Sequence, residues 1–177
     1  MSPQNVDFYN TLLAMLSLAA LAAAVGLVGY RIAAGAEAAR NLLGGSAIWL
    51  AWTVAAVATS GSLIYSEVIH FVPCRLCWFQ RIAMYPMAVV LLVGAIRREV
   101  VVKYYALPLA LGGALISIWH YLTQVFPSLE GGSCDPVNPC SSKYVDVFGF
   151  VSIPFMAGTG FIVIAVLLAF YVRTNNE

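Results

Sequence analysis

Five long apolar stretches, separated by short polar breaks, constrain this chain more than any other feature of its sequence. They run from about Tyr9 to Ile32, Ser46 to Phe71, Trp78 to Ile96, Tyr104 to Phe126 and Phe148 to Val172. The hydrocarbon core of a bilayer is roughly 30 Å thick, and a helix rises about 1.5 Å per residue, so about 20 apolar residues span it. The pattern therefore predicts an all-α membrane protein with five spans.

The composition agrees with a bilayer environment. Hydrophobic residues make up 62% of the chain and charged residues only 10%, which is far from the composition of soluble domains. The net charge is +1, and the lysines and arginines are dispersed along the sequence rather than clustered into a phosphate-binding face. The predicted surroundings are lipid, and nucleic acid is excluded as a partner.

The chain contains no internal repeat, low-complexity tract or linker. One helical bundle is therefore the economical architecture. A signal peptide is the competing interpretation of the first span. Its leading residues, Met1 to Asp7, lack lysine and arginine, and its apolar stretch exceeds the usual length of about 7–15 residues, so a retained helix is predicted.

The orientation follows from the basic residues, because lysine and arginine near span ends stay on the cytoplasmic side. One side of the alternating topology holds six of the nine: Arg31, Arg40, Arg97, Arg98, Lys103 and Arg173. The opposite side holds Arg75, Arg81 and Lys143. This asymmetry predicts a membrane protein with its carboxyl terminus in the cytoplasm. Its amino terminus and both cysteine-bearing segments are expected outside.

Two cysteine pairs lie in these outer polar segments. Cys74-Arg75-Leu76-Cys77 precedes a helix predicted to begin near Trp78, so the positive end of that helix would favour a thiolate at Cys77. Arg81 follows four residues later and projects from the same helical face. A low thiol pKa makes a disulfide a good oxidant, so this pair is predicted to be redox-active.

The second pair, Cys134 and Cys140, lies in a segment that opens with Glu130-Gly131-Gly132 and contains two prolines. Glycine and proline predict a mobile, non-helical loop, and mobility suits thiol exchange because one sulfur must reach another.

Two other interpretations of the cysteines stay open at this point. Both pairs could be structural disulfides of a membrane scaffold or carrier in an oxidising compartment. A four-cysteine zinc site is disfavoured, because the second pair is wide for a zinc knuckle and zinc thiolates are unusual in that compartment. No metal is therefore predicted.

A longer motif surrounds the first pair: Pro73-Cys74-Arg75-Leu76-Cys77-Trp78-Phe79-Gln80-Arg81, continuing to Met84-Tyr85-Pro86. It resembles the signature of the disulfide bond formation protein B family (DsbB) and its BdbC branch. The segment Gly149-Phe150-Val151-Ser152-Ile153-Pro154-Phe155-Met156 is similar to that branch too. The resemblance implies that residues 46–177 form a four-helix oxidoreductase domain of the bacterial inner membrane. Such a protein reoxidises a secreted thioredoxin-like thiol oxidase and reduces ubiquinone or menaquinone. This chain departs from the family in its closely spaced second cysteine pair and in residues 1–45, which would add an amino-terminal transmembrane helix and a cytoplasmic loop.

The resemblance also implies an order of electron transfer. The partner's dithiol would reduce Cys134–Cys140, this pair would reduce Cys74–Cys77, and Cys77 would deliver electrons to quinone beside Arg81. Which loop cysteine the partner attacks stays open. A fixed cation in a low-dielectric site would stabilise the charge that develops on a quinone oxygen.

Further residues near these cysteines are candidates for the same chemistry. His120 and Gln80 could contact quinone, although each could equally serve a packing role. Glu67 and His70 could relay protons released by thiol oxidation. A quinone reductase of the vitamin K epoxide reductase type is an alternative. The spacing of Arg81 from the first pair favours the DsbB type.

Overall fold

The computed structural model describes residues 3–130 and 134–171, which are mainly helical. The helices are α1 (Pro3–Ala34), α2 (Ala36–Leu43), α3 (Ser46–Leu63), α4 (Arg75–Arg97), α5 (Val102–Val125) and α6 (Ile153–Phe170). A π-helical turn, Ile64–Val68, extends α3, and a short 3-10 turn, Pro127–Leu129, follows α5. Gly131, Gly132 and Arg173, which entered the loop and orientation predictions, lie outside the described residues.

Five of these helices are long and apolar enough to cross a membrane: α1, α3 with its π-helical turn, α4, α5 and α6. No strand occurs within residues 3–130 and 134–171. The predicted all-α membrane fold is confirmed.

Helix α4 begins three residues earlier than predicted. Cys74 has an extended backbone conformation and caps the helix, because its sulfur accepts a hydrogen bond from the Cys77 backbone N–H at 3.4 Å. The first N–H groups of a helix lack partners within the helix, and a capping side chain supplies one. Cys77 therefore lies in the first turn of α4, as the sequence predicted.

Helix α6 begins at Ile153 rather than near Phe148. Phe148 and Gly149 both have left-handed backbone angles, with φ of 57° and 76°. They form a tight turn that is closed by two backbone hydrogen bonds between Val147 and Val151. Pro154 then occupies the first turn of α6, where its missing N–H costs no hydrogen bond. This turn brings the start of α6 against the first cysteine pair.

The core lies mainly among α3, α4, α5 and α6, and α5 approaches α6 closely at a glycine. A Cβ atom added to Gly113 would lie 2.3 Å from Cε1 of Phe161, whose side chain is fully buried. Small residues at helix interfaces in membranes permit this kind of close approach. The neighbouring Gly112 faces open space, with nothing within 4 Å of the corresponding position.

We expect Gly113→Ala to lower the melting temperature of the detergent-solubilised protein, because the methyl group would overlap the buried ring of Phe161. Overpacking of this kind costs about 1–3 kcal/mol, partly offset by the better helix propensity of alanine. Gly112→Ala is the matched control, since it makes the same change without the overlap and should be neutral or slightly stabilising. Equal melting temperatures for the two variants would contradict the close contact.

Helix α1 is attached to the other helices at both ends. Near the cysteine-bearing end, the Tyr65 hydroxyl donates a hydrogen bond to Oδ1 of Asn10 at 2.9 Å, and the rings of Tyr9 and Tyr65 lie 5.3 Å apart. At the opposite end, the guanidinium of Arg31 lies 5.2 Å from the ring centre of Phe170. The first span therefore packs onto the bundle.

Candidate redox site

The first cysteine pair lies at the start of α4 as two thiols. The sulfurs of Cys74 and Cys77 are 3.1 Å apart and share a hydrogen bond. Cys74 is buried, whereas Cys77 is partly exposed. The second pair, Cys134 and Cys140, is joined by a disulfide with a Cα–Cα distance of 5.9 Å.

His120 of α5 joins these two pairs into one site. Its Nε2 atom lies 3.5 Å from the sulfur of Cys74 and 3.1 Å from the carbonyl oxygen of Cys140. A carbonyl can only accept, so Nε2 carries a hydrogen. The side-chain amide nitrogen of Gln80 lies 3.3 Å from Nδ1 and orients the ring. His120, 1% exposed, thus holds the loop pair beside the first pair.

The contacts favour a thiolate at Cys74, whereas the sequence favoured one at Cys77. The hydrogen bond with the Cys77 thiol lowers the pKa of Cys74 well below its usual range. Burial opposes this effect, and the contact with His120 supports it. The amino-terminal end of α4 does favour a thiolate, but at Cys74, because the Cys77 backbone N–H donates its hydrogen bond to the capping sulfur of Cys74. A thiol with a low pKa stabilises the reduced form, so its disulfide is the stronger oxidant.

The ultraviolet absorbance of the thiolate tests this assignment. In a Cys134→Ser/Cys140→Ser background, only Cys74 and Cys77 can titrate as thiols. We expect the first thiolate to form below pH 7, whereas an unperturbed cysteine has a pKa of about 8.5. Adding His120→Ala should move the midpoint to higher pH, because one stabilising contact is lost. An unchanged midpoint would show that His120 does not stabilise the thiolate.

A cavity of about 320 Å³ opens beside Cys77 among α1, α3, α4 and α6. Its walls are mostly apolar, and its polar members include Cys77, Gln80, Arg81 and Tyr85. Ligand pockets typically measure about 300–1,000 Å³ and combine apolar walls with a few polar groups. His120 does not line this cavity. Of the three residues predicted to contact quinone, Gln80 and Arg81 line the cavity. The third, His120, lies between the two cysteine pairs instead.

Arg81 is held in the cavity wall by Ser62 of α3. Its Nε donates to the Ser62 hydroxyl and one terminal nitrogen donates to the Ser62 carbonyl, both at 3.0 Å. The guanidinium also lies 5.3 Å from the ring centre of Trp78. Within the described part of the chain, no carboxylate pairs with Arg81. A fixed, uncompensated cation beside an apolar cavity can stabilise negative charge on a bound molecule.

The two loop cysteines differ in exposure. Cys140 is fully buried, and its backbone N–H donates to a carboxylate oxygen of Glu130 at 2.5 Å. Cys134 remains partly exposed. A soluble protein can therefore approach Cys134 more readily than Cys140.

The described part of the loop is docked rather than free, in contrast to the predicted mobile segment. The side-chain amide of Asn138 donates to the carbonyl oxygen of Val72 at 3.2 Å. Tyr144 stacks on Phe71 with ring centres 4.9 Å apart. Both contacts tie the loop to the segment that leads into Cys74.

The contact between Ser62 and Arg81 could not be predicted from the sequence. Ser62 carries no motif that connects it with Arg81, which lies 19 residues away on another helix. Glu67, a predicted proton carrier, is exposed and accepts a hydrogen bond from its neighbour Ser66. It lines neither the large cavity nor the small void beside Cys74.

Comparisons with known proteins identify a family. The family model for disulfide bond formation protein DsbB matches residues 44–171. Disulfide bond formation protein C of Bacillus subtilis is 44% identical over 73% of this chain and 95% of its own length. A probable disulfide formation protein of Oceanobacillus iheyensis is 45% identical over 72% of this chain and 90% of its own length. No solved structure matches the chain.

The family match covers helices α3 to α6 and, with them, both cysteine pairs, Arg81 and His120. Five helices of the described residues are long and apolar enough to span a bilayer. The chain belongs to the DsbB disulfide bond formation family of membrane oxidoreductases.

Proposed function

We propose that this protein oxidises a thioredoxin-like thiol partner outside the cytoplasm and passes the electrons to a membrane quinone. The observation that carries the proposal is the position of Cys77. Its thiol contacts Cys74, which His120 connects to the loop disulfide, and it also lines the cavity that contains Arg81. Electrons that enter at the loop would leave through this cavity.

The entry step starts at Cys134, the more exposed sulfur. A thiolate of the partner attacks Cys134 and releases Cys140 as a thiolate. The partner's second thiol then resolves the mixed disulfide, so the partner becomes oxidised and the loop pair gains two electrons. The burial of Cys140 beside His120 supports its role as the leaving sulfur.

The second exchange joins the loop to the first pair. The Cys140 thiolate attacks Cys74 of a Cys74–Cys77 disulfide and releases Cys77. Cys134 then displaces Cys74, which restores the loop disulfide and leaves the first pair as a dithiol. Two electrons have moved from the partner to Cys74 and Cys77, and every sulfur is accounted for. The shared contacts of His120 support this order.

The cavity fits a quinone. It has the size of a ligand pocket, apolar walls, a reactive sulfur and an arginine without a carboxylate partner among the described residues. A bound ubiquinone or menaquinone would accept two electrons and two protons while Cys74 and Cys77 return to a disulfide. Arg81 would hold a ring oxygen and stabilise its developing charge, and Cys77 would face the ring from the adjacent turn of α4.

Anaerobic mixing of the purified protein, a reduced thioredoxin-like partner and a quinone tests the proposal. We expect the quinone absorbance to fall and one partner disulfide to form for each quinone reduced. A scaffold with structural disulfides would show no turnover, and its cysteines would resist reduction, with potentials below about −300 mV.

We also expect both cysteine segments to lie outside the cytoplasm, because six of the nine basic residues fall on the opposite side of the predicted topology. After mild reduction of intact cells, a membrane-impermeant thiol reagent should label Cys134, the more exposed loop cysteine. A cytoplasmic single-cysteine control should stay unlabelled until lysis. Labelling of Cys134 only after lysis would contradict the orientation.

A further inference from the structure

Helix α1 supplies one wall of the large cavity. Its contributing residues, at helical spacing on one face, are Leu13, Leu16, Ser17 and Ala20. The family match begins only at residue 44, so these four residues lie outside the part of the chain that resembles the family. The cavity of this protein is thus built partly by the additional helix.

The approach of α1 to α3 is close and specific. A Cβ atom on Gly61 would lie 3.3 Å from the Tyr9 hydroxyl oxygen and 3.4 Å from a methyl carbon of Leu13. The same hydroxyl donates to the Gly61 carbonyl at 3.4 Å, and the buried hydrogen bond of Asn10 lies alongside. These contacts set the position of α1 at the cavity, which Leu13, Gly61 and Tyr65 line.

The wall that α1 provides is hydrocarbon in character. The hydroxyl of Ser17 donates to the carbonyl of Ala14 within the same helix at 2.8 Å, so the remaining surface is formed by aliphatic groups. The polar members Gln80 and Arg81 belong to α4 instead. The cavity is therefore amphipathic: α4 contributes Cys77, Gln80 and Arg81, and α1 contributes an apolar wall.

We propose that α1 is part of the quinone-binding site, with Leu13, Leu16, Ser17 and Ala20 packing against the apolar part of the ligand while Arg81 faces its oxygens. This inference rests on the proposed function. An amphipathic quinone, with a polar ring edge and a hydrocarbon chain, matches both sides of the cavity. Burial of apolar ligand surface against α1 contributes affinity in proportion to the area covered.

Equilibrium binding of decylubiquinone and of menaquinone-4 to the purified, detergent-solubilised protein tests the wall directly. Ala20→Leu would push a larger side chain into the cavity, and we expect it to weaken binding by about tenfold. Ala19→Leu makes the same change at the neighbouring exposed position, which does not line the cavity. It should bind like the wild type.

A second measurement covers the case in which Ala20→Leu does not fold. Ser17→Cys is a small change on the cavity wall, and Ala19→Cys is a small change on the exposed face of α1. We expect decylubiquinone to slow the alkylation of the cysteine at position 17, measured by mass spectrometry of that peptide, and to leave position 19 unaffected. Equal alkylation of position 17 with and without quinone would overturn the inference.

The two proposals fail differently. Absence of quinone binding by the wild-type protein would refute the proposed function. A different result would refute only the role of α1. In that case the wild type binds quinone, Arg81→Ala does not, and Ala20→Leu binds quinone with the same affinity as the wild type.

Discussion

Cys134→Ser should reduce partner-driven quinone reduction to background. The loss should be on the order of a thousandfold or more, because the variant lacks the sulfur that the partner's thiolate attacks. A serine oxygen cannot form a disulfide with the partner, so electrons cannot enter at the loop. A small dithiol should still reduce the Cys74–Cys77 disulfide and sustain quinone reduction, because that pair and the cavity stay intact. The measurement compares steady-state rates with the two electron donors.

Cys140→Ser is the informative companion variant. It should lose partner-driven turnover equally. Its unpaired Cys134 thiol should still attack a partner that lacks its resolving cysteine and whose remaining cysteine carries a thionitrobenzoate group, which releases thionitrobenzoate and leaves a disulfide between the partner and Cys134. Cys134→Ser should form no such adduct, because the remaining Cys140 is buried. Trapping in Cys134→Ser instead, or full partner-driven turnover in either variant, would contradict the proposed order.

Arg81→Ala should impair the quinone step selectively. A charge-assisted contact is worth about 1.5–3 kcal/mol, and roughly 1.4 kcal/mol corresponds to tenfold in rate. Quinone-dependent turnover should therefore fall about tenfold or more, measured against quinone concentration. Mixed-disulfide trapping with the partner should persist, because Cys134 lies on the loop and not in the cavity wall.

Two variants separate the charge of Arg81 from its structural contacts. Ser62→Ala removes the hydroxyl that accepts from Arg81 but keeps the carbonyl contact and the cation, so we expect most of the turnover to remain. Arg81→Lys keeps the charge without the planar fork and should show an intermediate defect. Normal quinone kinetics in folded Arg81→Ala would show that Arg81 only connects α4 to α3.

The sequence by itself determined the membrane fold and the local placement of Cys77 and Arg81 on α4. Hydropathy over about 20 residues indicates whether a helix can cross a bilayer. The backbone N–H and C=O groups of such a span form hydrogen bonds within the helix itself, so no neighbouring helix is needed to predict it. The placement of Cys77 in the first turn of α4 and of Arg81 four residues later depends only on local helix geometry. Such features require no knowledge of which helices are neighbours.

Only the tertiary structure decided which distant groups meet. His120 contacts Cys74 and Cys140 because α5 and the loop fold over the start of α4. These contacts also favour the thiolate at Cys74, since the pKa depends on which donors surround each sulfur. The same holds for the residues of α1 that line the cavity together with Arg81. Residues far apart in the chain carry no local signal of their proximity, because helix packing, rather than hydropathy or spacing, sets the distances between them.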